Sequence, residues 1–215
     1  DLAHAGAWAP VSLVPKDNQP DGRFPHLVER AKPGLIMVLR NGLRFTNEAD
    51  AYHDLMQALF EAVPVGQPYE AYMICDHRFQ RRYGLGRARP RPFPLGHWIR
   101  NGYLKRGETI ADLAKACGID GSALEQTIAF YNHLAAQGLD PQFHRGESAY
   151  NRIQGEADHK PNPCVAPIVE APFYAVKIVP GSLGTFAGLR TNVDAQVLDQ
   201  SGQAIAGPVS YTHLR

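Results

Sequence analysis

The sequence predicts an α+β protein, because segments with helical and with strand periodicity follow one another along its 215 residues. Residues 47–63 read as a helix with apolar side chains three and four positions apart, and residues 109–137 read as a pair of helices. Short apolar runs predict strands; these are LIMVL, AYMICD, FYAVKIV and AQVLDQSG. A chain of this length can bury one large core or two small ones.

The N-terminal part predicts little regular structure before a hairpin. Residues 1–34 are rich in Pro, Gly and Ala, which predicts a short helical start and then an extended loop. The segments LIMVL, RNG and LRF that follow predict a strand, a turn and a second short strand.

The helix at residues 47–63 has recognisable start and stop signals. Asn47 is a good N-cap residue, and Glu48 suits the positive end of the helix dipole. Tyr52 opens the apolar face, and Pro64 stops the helix. Taken alone, a tyrosine in this position indicates packing in the core or at its rim rather than chemistry.

The helix pair permits two interpretations. Thr109 with Asp112 predicts a capping box, Gly118 ends the first helix and Asp120 caps the second. The spacing is also that of a helix-turn-helix. However, residues 121–137 contain no Lys or Arg, and phosphate neutralisation supplies most of the energy of DNA binding. A packed helical hairpin is therefore favoured, and a nucleic-acid-binding module is the alternative from another class.

A basic segment bears on the same alternative. Between residues 78 and 91 six arginines alternate with aromatic residues, glycines and prolines, as in some RNA-binding patches. The net charge of +1 gives no overall field that would attract nucleic acid or acidic lipid. A solvated loop is favoured here, and the sequence predicts no nucleic-acid partner. No stretch approaches the roughly 20 apolar residues of a membrane span.

Cysteine and histidine usage argues against a metal site. The 3 cysteines lie far apart and form no CxxC pair, which indicates a reduced, cytoplasmic setting. The 9 histidines are scattered, with no HExxH and no pair four residues apart, so no metal is expected. No signal peptide opens the sequence.

The segment PGSLGTFAGL lies between two predicted strands. Gly181, Gly184 and Gly188 allow the backbone to approach a ligand closely or to adopt positive φ. They are equally consistent with a tight crossover that binds nothing. The shorter GLGRAR is half of a dinucleotide fingerprint and does not open a helix, so it predicts no nucleotide site.

Several segments together resemble a known family. In order, they are GLIMVLRNGLRFTNEADAYHD, ADLAKACGIDGSALEQTIAFYN, GLDPQFHRGES and APFYAVKIVPGSLGTFAGLRTNVDAQVLDQSGQAIAG. Over about residues 1–207 the chain is similar to flavoproteins of the fumarate reductase and 3-ketosteroid dehydrogenase superfamily. The resemblance implies an FAD-binding Rossmann-like domain interrupted by a cap domain, with the substrate between the two.

The same resemblance implies a division of the chain. Residues 1–40 would end the first portion of the FAD domain, residues 41–166 would form the cap, and residues 167–207 would return into the FAD domain. Residues 208–215 depart from the pattern and are expected to be a non-native tail. The family's GxGxxG for the FAD pyrophosphate is absent, so we expect a fragment that needs the missing FAD-binding parts of its own chain and is inactive alone.

Individual residues indicate which branch of this superfamily the chain resembles. Fumarate reductases of this family carry histidines just before the Thr of the glycine segment, where this chain has Leu183 and Gly184. They carry an arginine after the Asn-Glu pair, where this chain has Tyr52, and ketosteroid dehydrogenases use a tyrosine on this cap helix. The chain thus looks most like a 3-ketosteroid Δ1-dehydrogenase.

The activity that the resemblance implies is dehydrogenation next to the carbonyl of a small hydrophobic ketone, with hydride transfer to FAD. Tyr52 would be the catalytic base or its partner. Substrate contacts would come from Asn47, Glu48 and Phe186, and cofactor contacts from Gly184 and Thr185. The alternative enzyme is a fumarate-reductase-like reductase of a conjugated double bond on an acid.

Overall fold

The computed structural model describes residues 6–16, 21–185 and 188–209. The chain divides into two units, a larger one of residues 9–181 and a smaller one in which residues 1–8 join residues 182–215. These two units do not test the predicted division of the chain into cap and FAD-domain portions, which stays a prediction. The expected non-native nature of residues 208–215 also stays a prediction.

A six-stranded sheet lies mostly in the larger unit. Its strands are β1 (Gly6–Val14), β2 (Gly22–Pro25), β3 (Leu35–Val38), β4 (Ala71–Cys75), β5 (Lys105–Gly107) and β6 (Phe173–Thr185). Neighbouring strands follow the order β2-β1-β6-β4-β3, and β5 pairs with β6 in addition. The β1–β2, β3–β4, β4–β6 and β5–β6 pairs are antiparallel.

Helices lie between these strands in the chain. They are α1 (Tyr52–Ala62), α2 (His77–Tyr83), α3 (Gly96–Arg100), α4 (Ile110–Cys117), α5 (Gly121–Ala135) and α6 (Ala149–Gln154). None of the helices in the described part is both long and apolar enough to cross a bilayer.

Strands β3 and β4 have every side chain buried. Ile36 and Val38 of β3 and Ile74 of β4 pack in one core cluster with Leu113 of α4 and Leu124 of α5. The residues between them are also buried, so both faces of these strands are covered. This double burial explains why they read as continuous apolar runs rather than as alternating ones.

The predicted helix pair is confirmed with its caps. Thr109 Oγ1 accepts a hydrogen bond from the Asp112 amide at 3.0 Å, and Asp112 Oδ2 accepts one from the Thr109 amide at 3.1 Å. Gly118 ends α4 with φ +69°, and the Asp120 side chain caps α5. Such helix caps depend on residues a few positions apart, so the local sequence was sufficient to predict them.

Burial of one face of α5 removes the support for the helix-turn-helix interpretation. Leu124, Ile128 and Tyr131 lie in the core cluster with residues of β3 and β4. The exposed residues of α5 include no Lys or Arg; they are Ser122, Glu125, Gln126, Ala129, Phe130 and His133. A face without cations cannot neutralise phosphates.

The prediction of a loop for the arginine segment is wrong in its first half. Residues 77–83 form α2, and the Asp76 carboxylate accepts a hydrogen bond from the Phe79 amide at 2.9 Å as its N-cap. Aspartate is a preferred N-cap residue, but the glycines and prolines that follow this helix favour a loop, and the loop was therefore predicted for the whole segment.

The N-terminal prediction is also wrong for the described residues. In place of a helical start and a loop, β1 and β2 form an antiparallel hairpin in which Val11 lies opposite Pro25. Residues 1–5 of the predicted helical start lie outside the described residues. Because β1 has a neighbour on each side, β2 and β6, ladder hydrogen bonds offset the poor strand propensity of Pro and Gly.

The second predicted hairpin is confirmed only in part. LIMVL forms β3, but LRF contributes a single isolated bridge between Val38 and Arg44. The turn between them is closed by the Gly42 amide, which donates to the Leu39 carbonyl at 3.0 Å.

The smaller unit contains a two-stranded antiparallel sheet of β7 (Gln196–Leu198) and β8 (Ala204–Val209). Asp199 closes the turn between them, since its Oδ1 accepts from the Ser201 amide at 2.8 Å and from the Gln203 amide at 2.9 Å. The predicted AQVLDQSG strand therefore ends at Leu198 and continues as a turn.

Candidate functional site

Tyr52 is the first residue of α1 and is only partly buried. The core side of this helix is made by Leu55, Met56 and Leu59, each fully buried. The Tyr52 hydroxyl has no hydrogen-bond partner among the residues that the structure describes. Tyr52 is therefore not one of the residues that form the buried side of this helix.

The predicted N-cap is wrong. The residue before α1 is Ala51, which makes no side-chain cap, and Asn47 lies further upstream. Asn47 Oδ1 accepts from the Ala49 amide at 2.9 Å, and its Nδ2 donates to Asn151 Oδ1 at 2.9 Å. Asn47 thus closes a tight turn before the helix and ties that turn to α6.

Glu48 lies in the interior and does not face the helix dipole. Its Oε1 accepts from Arg44 Nε and from the Met37 amide, both at 2.9 Å. Its Oε2 accepts from Arg44 Nη2 at 2.8 Å and from Arg145 Nη1 at 3.0 Å. Burial alone would raise the pKa of this carboxyl, but the charges of Arg44 and Arg145 outweigh it and hold the pKa below its usual value.

Arg44 connects Glu48 to a second carboxylate. Its Nη1 and Nη2 donate to the two oxygens of Asp140, each at 2.8 Å, in a two-pronged pair. The two acidic partners raise the pKa of Arg44 in spite of its burial, so the group stays charged. Its guanidinium also lies over the rings of Tyr131 and Phe143, at 5.1 and 4.8 Å from their centroids.

The residues directly before Tyr52 are held by two further buried side chains. Arg30 Nη1 donates to the carbonyls of Glu48 and Asp50, at 2.7 and 2.5 Å. Asn151 Nδ2 donates to Asp50 Oδ1 at 2.9 Å. The segment of residues 47–51, which we call the Tyr52 anchor, is thus fixed by contacts from outside α1, while Tyr52 itself has a free hydroxyl.

Reasoning from sequence named Asn47, Glu48 and Tyr52 but missed the residues that hold them. Asp140 and Arg145 lie in the motif GLDPQFHRGES, which carried the family resemblance without a role. The sequence around Arg30 and Asn151 does not indicate that they hold this segment, because the residues that they bind there are distant in the chain. Whether Asn47 or Glu48 touches a substrate stays a prediction; the bonds described here occupy both oxygens of Glu48.

The predicted cofactor contacts lie in the smaller unit. Gly184 has φ +152°, a conformation open mainly to glycine, and a Cβ added there would meet no described atom within 4 Å. Thr185 next to it is exposed at the end of β6. Phe186, the third predicted contact, lies outside the described residues. Whether Gly184 and Thr185 contact a cofactor stays a prediction.

Among the described residues, no group of three or more His, Cys, Asp or Glu side chains is arranged to hold a metal ion.

Comparison with known proteins places this chain among flavoproteins. A family model described as an FAD binding domain matches residues 1–207. A 4-oxocyclohex-2-ene-1-carboxylate 5-dehydrogenase of Sinomonas cyclohexanicum is 40% identical over 206 residues, which cover 96% of this chain and 35% of that protein. A 3-oxosteroid 1-dehydrogenase of Mycobacterium tuberculosis is 33% identical over 212 residues, covering 96% of this chain and 37% of that protein.

Comparison with solved structures leads to the same group of enzymes. The crystal structure of 3-ketosteroid delta1-dehydrogenase from Sterolibacterium denitrificans in complex with 1,4-androstadiene-3,17-dione superposes with a TM-score of 0.83 and 33% sequence identity. The match covers 93% of this chain and 36% of that protein. The mixed α and β architecture is therefore that of part of this flavoprotein fold, and the chain spans about a third of the length of the relatives it matches.

Proposed function

Since this chain belongs to the FAD binding domain family, we propose that it is part of an FAD-dependent oxidoreductase that dehydrogenates a carbon–carbon bond next to a ketone. Its dehydrogenase relatives are named for substrates in which a ring carries an oxo group. The feature of this chain that carries the proposal is Tyr52, a tyrosine with a free hydroxyl on a rigidly held helix start.

The role that we propose for Tyr52 is the one that the family resemblance implies. Tyr52 is the base that removes the proton from the carbon next to the carbonyl, or it is the partner of that base. The FAD, when bound, supplies the acceptor for the hydride that leaves the neighbouring carbon. The Tyr52 anchor serves this step by fixing where α1 begins, since proton transfer requires donor and acceptor at hydrogen-bonding distance.

Roles for the other predicted residues rest on the same resemblance. Asn47 and Glu48 keep the helix start beside the substrate, and Gly184 and Thr185 let the backbone lie against the flavin. Phe186 would contact the substrate. Residues 41–166 would form the cap over the substrate, and the FAD pyrophosphate would be held by parts of the longer protein.

The charges near Tyr52 support an uncharged ketone as the substrate. Arg44 and Arg145 are engaged with Glu48 and Asp140, and Arg30 is engaged with backbone carbonyls. Because these three guanidinium groups already bind other acceptors, none of them is placed to bind the carboxylate of a substrate. A steroid-like ketone therefore fits this region better than fumarate does.

A ring ketone that bears a carboxylate is the second candidate. The observation that favours it is the 40% identity to a dehydrogenase named for 4-oxocyclohex-2-ene-1-carboxylate. Such a substrate would place its carboxylate away from the Tyr52 anchor, at residues of the longer protein.

The test uses the longer flavoprotein that contains this chain. Flavin reduction is recorded with a 3-oxosteroid and with 4-oxocyclohex-2-ene-1-carboxylate, and reoxidation of the previously reduced flavin is recorded with fumarate as the electron acceptor. We expect reduction by the steroid ketone, and replacing Tyr52 by Phe should lower its rate by about 10²-fold or more with the melting temperature nearly kept. Tyr69→Phe, at a partly exposed ring that packs on Phe60, is the matched control. Activity with fumarate alone, or a Tyr52→Phe variant as fast as the control, would refute the proposal.

A further inference from the structure

The second half of the arginine segment lies beside an open cavity of about 420 Å³ in the larger unit. Three cationic side chains line it: Lys16, which follows β1, and Arg87 and Arg89, which lie in the loop after α2. The rings of Phe93 and Trp98 line the cavity as well. Among the described residues that line it, none belongs to the Tyr52 anchor, so the cavity is a separate feature of this unit.

The three cations lack an acidic partner within the described part of the chain. No hydrogen bond or ion pair to a described residue holds the Lys16 ammonium group or the guanidinium groups of Arg87 and Arg89. Arg87 lies over the Phe24 ring at 5.8 Å from its centroid, and Arg89 lies over the Phe93 ring at 5.1 Å. Contact with a ring face leaves the N–H groups at the guanidinium edge free for an acceptor.

The polar side chains that line this cavity are all hydrogen-bond donors. Besides the three cations there is the Trp98 indole N–H, and none of these groups can accept a hydrogen bond. The other described side chains of the lining are apolar; they are Val14, Pro15, Phe93 and Pro94. A ligand must therefore supply the acceptors and a negative charge, together with an apolar surface.

The first half of the arginine segment differs in this respect. Arg78 donates to the Pro167 carbonyl at 2.8 Å and lies 3.7 Å from the Asp76 carboxylate, and Arg82 lies 3.3 Å from Glu156. The charges of these two arginines are thus offset within the protein. A strand of nucleic acid needs cations for successive phosphates. One group of three cations around one cavity fits a single small anion better.

The backbone that carries the cavity is held in place by buried side chains. The Arg87 amide donates to the Tyr103 hydroxyl at 3.0 Å, and the Arg89 carbonyl accepts from Gln80 Nε2 at 3.1 Å. Tyr103 and Gln80 are 5% and 2% exposed. The Trp98 ring packs on Tyr103, with 5.4 Å between the centroids. The positions of two cations and one ring are therefore set before a ligand arrives, which lowers the entropy cost of binding.

We propose that this cavity binds a small flat organic anion, with an aromatic or conjugated body and one carboxylate or phosphate group. The acid group accepts hydrogen bonds from Lys16, Arg87 and Arg89, and the flat body packs on the rings of Phe93 and Trp98. Binding is noncovalent. An uncharged ketone at Tyr52 offers no partner to these cations, so this ligand is a different molecule and the site does not depend on the function proposed above.

Isothermal titration calorimetry tests the site in the longer flavoprotein that contains this chain, with FAD bound. The probe is naphthyl phosphate, and inorganic phosphate and naphthalenemethanol supply its acid group and its flat body separately. We expect naphthyl phosphate to bind with a dissociation constant below about 1 mM and each separate part to bind about tenfold more weakly or worse. If either part binds as tightly as the whole probe, or if naphthyl phosphate does not bind, the proposal is wrong.

Two variants locate the binding. Arg87→Gln and Arg89→Gln should each raise the dissociation constant of naphthyl phosphate by about tenfold or more, because each removes a charge-assisted hydrogen bond. Both side chains are exposed, so folding should be kept, and the melting temperature checks it.

Arg91→Gln is the matched control, since it removes the same charge from the same segment but from a side chain that does not line the cavity. At about 0.15 M salt, where charges are screened over about 8 Å, it should change the dissociation constant by less than about twofold. An unchanged dissociation constant in either folded cavity variant, or a loss in Arg91→Gln as large as theirs, would overturn the proposal.

Discussion

Arg145 and Glu48 form an ion pair that is shielded from solvent, with Arg145 Nη1 3.0 Å from Glu48 Oε2 and neither side chain exposed. Arg145 Nη2 also donates to the carbonyls of Arg30 and Lys32, at 2.9 and 2.8 Å. Through Glu48, Arg145 therefore connects the Tyr52 anchor to the segment that precedes β3. Stability and the placement of Tyr52 depend on the same cluster of charges.

Replacing Glu48 by Gln should strongly destabilise the larger unit. Two guanidinium groups, Arg44 and Arg145, would lose their shared carboxylate in the interior, which costs about 3–5 kcal/mol in the free energy of unfolding. Urea denaturation measures this. Glu147→Gln, at an exposed pair with His144, is the control and should change little. Equal effects of the two substitutions would contradict the assignment.

Stability should fall in acid because of the same carboxyl. The pKa of Glu48 is held below its usual 4.5 by Arg44 and Arg145 despite burial, which acts in the opposite direction. A depressed pKa in the folded state means that the unfolded chain binds the proton more tightly. The contribution of Glu48 is therefore complete above the usual carboxyl pKa and is lost as the pH falls through the folded-state value.

The measurement is the free energy of unfolding against pH, from neutral down into the acid range. The Glu48→Gln variant should show a shallower acid limb than the unmodified chain, since it lacks one group that takes up a proton on unfolding. If the free energy of unfolding falls equally steeply with decreasing pH in the variant and in the unmodified chain, other carboxyl groups determine the acid dependence.

Arg30 should control local order at the start of α1. Lysine keeps the charge, but its single ammonium nitrogen cannot replace both Nη1, which donates to the carbonyls of Glu48 and Asp50, and Nε, which donates to the His26 carbonyl. In Arg30→Lys we expect faster hydrogen exchange of the amides in residues 48–52, measured by mass spectrometry. Arg78→Lys, at a half-exposed arginine that binds the Pro167 carbonyl, is the control. Unchanged exchange in Arg30→Lys would mean that the Glu48 cluster alone fixes this segment.

Cys117 should resist alkylation while the chain is folded. Burial raises the pKa of its thiol to about 12, so at pH 8 only about one thiol in 10⁴ is ionised, and the thiolate is the reactive form. Iodoacetamide labelling followed by mass spectrometry should modify Cys117 much faster in urea than in buffer. Rapid labelling in buffer would indicate that α4 opens readily.

The sequence predicted those parts of the fold that depend on near neighbours. The capping box of Thr109 and Asp112 needs residues three apart, and the αL ending at Gly118 needs one glycine. The buried strand β4 was evident because burial on both faces demands a run of apolar residues. The hairpin of β1 and β2 was missed because its stability depends partly on β6, which pairs with β1 from more than 150 residues further along the chain.

Residue types and local order, by themselves, determined the helix pair, the apolar strands, the position of Tyr52 on a helix and the resemblance to flavoproteins. Only the tertiary structure decided that Glu48 is an interior anchor rather than a helix-dipole residue, because its partner Arg145 lies 97 positions away. The same holds for the cavity that Lys16 lines together with Arg87 and Arg89, since its lining comes from two separate parts of the chain. A carboxylate acts through the charges that folding brings to it, and no spacing along the chain specifies which charges those are.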